Sequence, residues 1–200
     1  MAFSDNVWWT RKARIQAEKR LLSNAFHTQI LLLWYSFSGV ASAIYHLSIE
    51  GSNAAGQDIS GITWVVFSVL VLCISGFING LSFKERAGLI KECYETLNSF
   101  HQKAKDSSLT DPTKLSTEYD QILGVCENHS DRDYYTALCI EYVTNKNRLD
   151  KNTGLKKGLD RSPTWYHWTS LIYWTLCHKL MLTVLYLLPV ILCVALRCIE

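Results

Sequence analysis

Proline is scarce: Pro112, Pro163 and Pro189 are the three in 200 residues. Proline removes a backbone donor and breaks helix interiors, so its scarcity leaves room for long helices. None falls between Gly61 and Pro112. Catalytic signatures are missing as well, with no P-loop, no GxSxG and no HExxH. Seven cysteines, at 73, 93, 126, 139, 177, 193 and 198, make an odd number without a CxxC pair. That excludes a disulfide framework or zinc site as the first reading and favours free thiols in a reducing compartment. No metal and no cofactor is expected. Neither sign of charge dominates: the net is +2, and residues 84–161 carry thirteen bases against thirteen acids. No basic face therefore marks a nucleic-acid groove. Nor does the N-terminus read as a cleaved signal peptide, because Trp8 and Trp9 open a basic, amphipathic stretch instead of a short apolar core.

Charge is absent altogether from two long runs. Gly61–Phe83 has 23 residues without Asp, Glu, Lys or Arg, and so has Phe26–Ser48. As a helix each covers roughly 34 Å, enough to cross a hydrocarbon core of about 30 Å. The connection Ile49–Ser60, with Gly51, Ser52, Asn53 and Gly56, has two acids and no base. The positive-inside rule places it outside, with the N-terminus and residues 84–163 in the cytoplasm. In the first run, small residues at Ser38, Gly39, Ser42 and Ala43 allow close helix approach; in the second, Gly76 and Gly80 form a GxxxG pair. That pair suits packing within one subunit or between subunits. Asn79 is the strongly polar group of the second run, near enough to its end to reach water.

Beyond Phe83 the chain is charged but patterned. Phe83, Ala87, Ile90, Tyr94, Leu97, His101 and Ala104 alternate spacings of four and three, a heptad-like stripe. The spacing predicts one helix, Gly61–Lys105, leaving the membrane and presenting a cytoplasmic face for oligomerisation. Lys105–Pro112 is a break, and Pro112 favours a first helical turn. Leu115, Tyr119, Ile122 and Cys126 continue the pattern, and Ser130 with Asp133 forms a capping-box start for a helix running to about Asp150. Upstream, Asp5–Leu22 reads as a helix with Trp8, Ile15 and Leu22 in heptad register. It lies on an anionic leaflet or packs against the soluble helices.

Residues 151–163 read as a linker containing Gly154, Gly158 and Arg161. Trp165, Tyr166, Trp168, Tyr173 and Trp174 then form an aromatic belt of the interfacial kind. Leu180–Leu196 follows, 17 uncharged residues interrupted by Pro189. In one layout the belt lies in the interface, Lys179 snorkels and the last run crosses. In the other, Leu171–Pro189 crosses and a buried Lys179 is functional. The expected organisation is a basic amphipathic helix (1–25), a transmembrane hairpin (26–83, spans 26–48 and 61–83), a cytoplasmic helical region (84–150), a linker (151–163) and an aromatic and membrane segment (164–200). This is an all-α membrane protein with two transmembrane helices, a short outside loop, a second span continuing into a cytoplasmic layer, and a third, C-terminal membrane segment.

One polar cluster stands out: Glu127, Asn128, His129, Ser130, Asp131, Arg132 and Asp133. As a helix junction each part has a role, since Ser130 caps and the acids favour the positive helix N-terminus. As a contact for a partner or trigger, Glu127, His129 and Asp131 are the candidates, and the same three would serve an enzyme acting on lipid or nucleotide. No nucleophile–base arrangement supports that last reading.

The layout over residues 5–150, with Tyr119-Asp120-Gln121-Ile122-Leu123 and Glu127-Asn128-His129-Ser130, resembles the SLATT domain family. These are two-transmembrane effectors of bacterial defence systems, and the short motif is similar to the subfamily encoded beside reverse transcriptases. The resemblance implies a non-enzymatic, homo-oligomeric effector that permeabilises the inner membrane in abortive infection. It also implies a co-encoded sensor, such as a reverse transcriptase or nucleotide-signal enzyme, as partner. A membrane anchor or scaffold for a partner defence enzyme is the alternative. Gly39, Ala43, Gly76, Asn79, Gly80 and Lys179 are the packing or pore candidates.

Overall fold

The computed structural model describes residues 3–50, 59–106, 112–150 and 154–199. Residues 51–58 of the loop expected at Ile49–Ser60 and residues 107–111 of the break expected at Lys105–Pro112 lie outside them. Six helices occur in the order α1 (Phe3–Glu50), α2 (Ile59–Gly80), α3 (Phe83–Lys105), α4 (Pro112–Leu123), α5 (Asp131–Thr144) and α6 (Trp165–Ile199). Among the described residues the extended pairing is one isolated antiparallel bridge, Leu149 with Lys156. The protein is all-α. Among the described residues, two helical stretches contain a segment long and apolar enough to cross a membrane: Thr63–Lys105, where that segment lies in α2, and Trp165–Ala195, in α6. The first run expected to span, Phe26–Ser48, belongs to α1, and the side chains of its last three residues are not among those described.

Two expectations about helix continuity change. Asp5–Leu22 and Phe26–Ser48 are not separate helices, because α1 is a single helix of 48 residues. The uncharged run and the charged run before it share one ladder, with neither Pro nor Gly before Gly39 to break it. Conversely, Gly61–Lys105 is not one helix. α2 closes at Gly80 with a tight turn, Leu81 N–H donating to Ile78 O at 3.1 Å and Ser82 N–H to Asn79 O at 3.3 Å. Ser82 then takes a left-handed φ of 45°. The cause is legible as Asn79-Gly80, a turn-forming dipeptide with two poor helix formers.

The chain divides into two units. One comprises residues up to Ser23 with Phe83–Cys177; the other comprises Asn24–Ser82 with the segment from His178 onward. In the first, α3 buries Ala87, Ile90, Cys93, Leu97, Phe100 and Ala104. Val7 and Leu115 complete one cluster with Cys93, Leu97, Phe100 and Ala104, while Ala17 and Leu21 complete another with Ala87 and Ile90. The stripe of α3 is thus covered by α1 and α4 of the same chain. This corrects the reading of Phe83, Ala87, Ile90, Tyr94 and Leu97 as an oligomer face: a narrow apolar stripe on a small layer is satisfied first by its own neighbours. The buried face of α1 is also one residue away from the expected Trp8–Ile15–Leu22 register. Val7, Trp9, Ala13, Arg14, Ala17 and Leu21 are buried, and Leu22 is exposed. Small alanines at 13 and 17 set a face that large apolar side chains alone do not reveal.

Residues 154–163 are a packed strap. Lys156 Nζ donates to the Tyr142 and Asn145 carbonyls at 2.6 and 2.9 Å, supplying donors at the end of α5.

Candidate functional site

The first unit is fastened around the basic residues of α1. Lys12 pairs with Glu141 at 2.5 Å, and Arg20 holds Asp133 through two bonds of 2.9 and 3.0 Å. The basic face therefore serves internal pairs, and α1 packs on the helical layer. Trp9, 2% exposed, donates its indole N–H to Asp160 Oδ1 at 2.5 Å. Arg161 lies over the Trp9 ring at 5.3 Å and donates to the Tyr134 hydroxyl at 2.8 Å. Burial works to raise the Asp160 pKa, but the bonds from Arg161 and Trp9 outweigh it and hold the carboxyl below its usual range. The sequence reading missed this clamp, because Trp9 and Asp160 lie 151 residues apart.

Arg14 is the unusual member. It is 1% exposed. Its Nη1 donates to the sulfurs of Cys93 and Cys126, the latter at 2.7 Å, and Nη2 to the Leu123 carbonyl at 3.3 Å. Nε is buried without a partner. None of its hydrogen-bond partners among the described residues is a carboxylate. The negative end of α4, where Leu123 lies, offers partial compensation. Burial pushes the Cys126 thiol up to about 11, against the pull of the Arg14 guanidinium. A basic residue in the buried Val7–Arg14–Leu21 register was the available signal.

The corner after α4 resolves into structural roles. Glu127 accepts from Arg86 Nε at 3.1 Å and Nη2 at 2.5 Å. Ser130 caps α5 in a full capping box with Asp133, as its spacing predicts. Burial would raise the Asp133 pKa, yet the bonds from Arg20 and Ser130 hold it below the usual value. Asp131 is exposed in the first turn of α5. His129 is half-buried with an unpartnered Nδ1; burial first, then Arg14, lowers its pKa. The Tyr94 phenol is pushed up to about 12 by burial and by its bond to Glu18. Among the described residues no group of His, Cys, Asp and Glu is arranged to hold a metal.

In the second unit, Pro189 sits inside α6 and is buried. Its missing N–H leaves the Leu185 carbonyl without its helical donor. Tyr35 of α1 supplies one, donating to Leu185 O at 2.7 Å, while Trp34 Nε1 donates to Tyr186 O at 3.0 Å. His27 Nδ1 meets the Tyr186 hydroxyl at 3.2 Å. In hydrocarbon, neighbouring side chains of this kind are what make a helix-breaking proline tolerable. Gly39 is buried, and a Cβ there would meet Phe67 at 3.7 Å. Ala43 is exposed. At Gly76 and Gly80 an added Cβ would meet nothing within 4 Å among the described residues. Asn79 and Lys179 are exposed.

The curated proteins contain no match to this chain, and neither do the solved structures. One protein-family model matches nearly the whole length. Six helices, two apolar stretches of membrane-crossing length and a match over residues 2–195 agree, and the chain belongs to the SMODS and SLOG-associating 2TM effector domain family 5, a SLATT family.

Proposed function

We propose that this effector domain works by permeabilising the bacterial inner membrane in an anti-phage, abortive-infection response, assembling as a homo-oligomer when a co-encoded sensor signals. The N-terminus and residues 84–163 face the cytoplasm in this reading. What carries it is the surface of α2. Gly76 and Gly80 stand open beside Phe77, which is 71% exposed. A small-residue face of this kind permits close helix–helix approach in a bilayer. With the α3 stripe buried in its own subunit, assembly falls to this face. Asn79 on the same stretch supplies a polar group for a lumen or an interhelical hydrogen bond.

The test is the membrane potential of cells expressing the protein with its sensor, read by a potential-sensitive dye on activation. Depolarisation that precedes growth arrest supports the reading, and so does its loss in Gly76→Leu. Growth arrest at unchanged potential, with a stable stoichiometric complex recovered on pull-down, replaces it with an anchor for a partner defence enzyme.

A further inference from the structure

We propose that Cys93 and Cys126 are a redox-closable thiol pair whose disulfide evicts the Arg14 guanidinium and releases the N-terminal part of α1 from the helical layer. Both sulfurs accept from the same nitrogen, Arg14 Nη1. The two sulfurs therefore flank one nitrogen atom, on neighbouring segments of the same unit. Cys93 is fixed on α3, its thiol donating to Ile122 O at 3.2 Å. Cys126 lies in the turn after α4, two residues beyond Gly124. Cys126 is half-buried and Cys93 fully buried, so their roles differ.

With a hydroperoxide as oxidant, Cys126 loses its proton to water and attacks the peroxide oxygen. The O–O bond breaks and leaves a sulfenic acid at Cys126 with water or an alcohol as the second product. The Cys93 sulfur then attacks the Cys126 sulfur and expels hydroxide, which takes the Cys93 proton and leaves as water. Two thiols and one hydroperoxide give one disulfide, one alcohol (or water) and one water. The two sulfurs supply the two electrons that reduce the O–O bond.

The consequence follows from the partners of Arg14. Two of its three acceptors are these sulfurs. Closing them into a bond of about 2.05 Å fills the space occupied by Nη1 and leaves a buried cation with one long hydrogen bond. A charge so placed moves to water, and α1 carries it. Burial of Cys126 keeps the reaction slow while α1 is seated.

The experiment uses the full-length protein in lipid nanodiscs, titrated with hydrogen peroxide and quenched by alkylation. Peptide mapping is expected to give a Cys93–Cys126 linked peptide, and amide exchange over residues 7–21 to rise at least tenfold in the oxidised protein. In Arg14→Met the linked peptide still forms while exchange over 7–21 stays at its reduced level. Absence of the linked peptide at peroxide concentrations that oxidise an added small-molecule thiol overturns the proposal. So does a linked peptide with unchanged exchange in the unsubstituted chain.

Discussion

Replacing Arg14 should cost little stability, whereas replacing Arg20 should cost a great deal. Both are arginines on α1, and their partners differ. Arg20 holds Asp133, whose side chain is 3% exposed, in a two-bond pair. Removing one member of such a pair strands a buried carboxylate, and the Ser130 bonds alone do not offset it. Arg20→Met is expected to destabilise by about 3 kcal/mol. Arg14 strands no charge on leaving. Taking a guanidinium out of water costs several kcal/mol after relaxation. Its return is a long bond to Leu123 O and two bonds to thiols, which are weak acceptors. Those terms roughly cancel, and methionine fills a similar volume. Arg14→Met is expected to lie between neutral and about 2 kcal/mol stabilising. The assay is urea unfolding of the detergent-solubilised chain, with amide exchange over residues 7–21 as the local readout. A loss above about 2 kcal/mol for Arg14→Met would refute the reasoning, since it would mean that Arg14 neutralises a thiolate.

Four further outcomes are expected. Asp133 has a folded pKa below its ordinary value of about 3.9, so its contribution is complete above that value and is lost as pH falls through the folded pKa; Asp133→Asn removes this acid sensitivity in a melting-temperature series. His129 has a folded pKa below about 6.5, so stability is full above that pH and declines between there and the folded value as the unfolded chain binds a proton; His129→Gln flattens this decline, and an unaltered slope assigns it elsewhere. Tyr35→Phe leaves the Leu185 carbonyl without its donor and should destabilise the second unit by about 1–2 kcal/mol, measured by thermal unfolding in nanodiscs. Gly76→Leu and Gly80→Leu meet open space within the subunit, so each should keep the monomer's melting temperature while abolishing crosslinked oligomers on activation; a lowered melting temperature would place this face inside the subunit.

The corner at Glu127–Asp133 was readable because helix capping is local: Ser130 and Asp133 are three residues apart, and their side chains need no distant partner. The turn at Asn79-Gly80 was readable in principle, yet the apolar run before it and the heptad after it outweighed two residues. Burial on α1 was not readable, because alternative registers differ by one residue and the winning one contains Arg14.

Sequence by itself determined that the protein is all-α, that the apolar run now seen as α2 is long enough to cross a membrane, and where α5 begins. These follow from periodicity, run length and local caps, which are properties of neighbours along the chain. The tertiary structure decided which apolar faces are already taken. The stripe of α3 is core, covered by Val7, Ala17, Leu21 and Leu115 of its own chain. It decided equally that Arg14 meets two thiols and that Tyr35 repairs the carbonyl left open by Pro189. Those pairings join residues 79, 112 and 150 positions apart, and their energies come from desolvation and donor–acceptor matching that exist once the helices have packed.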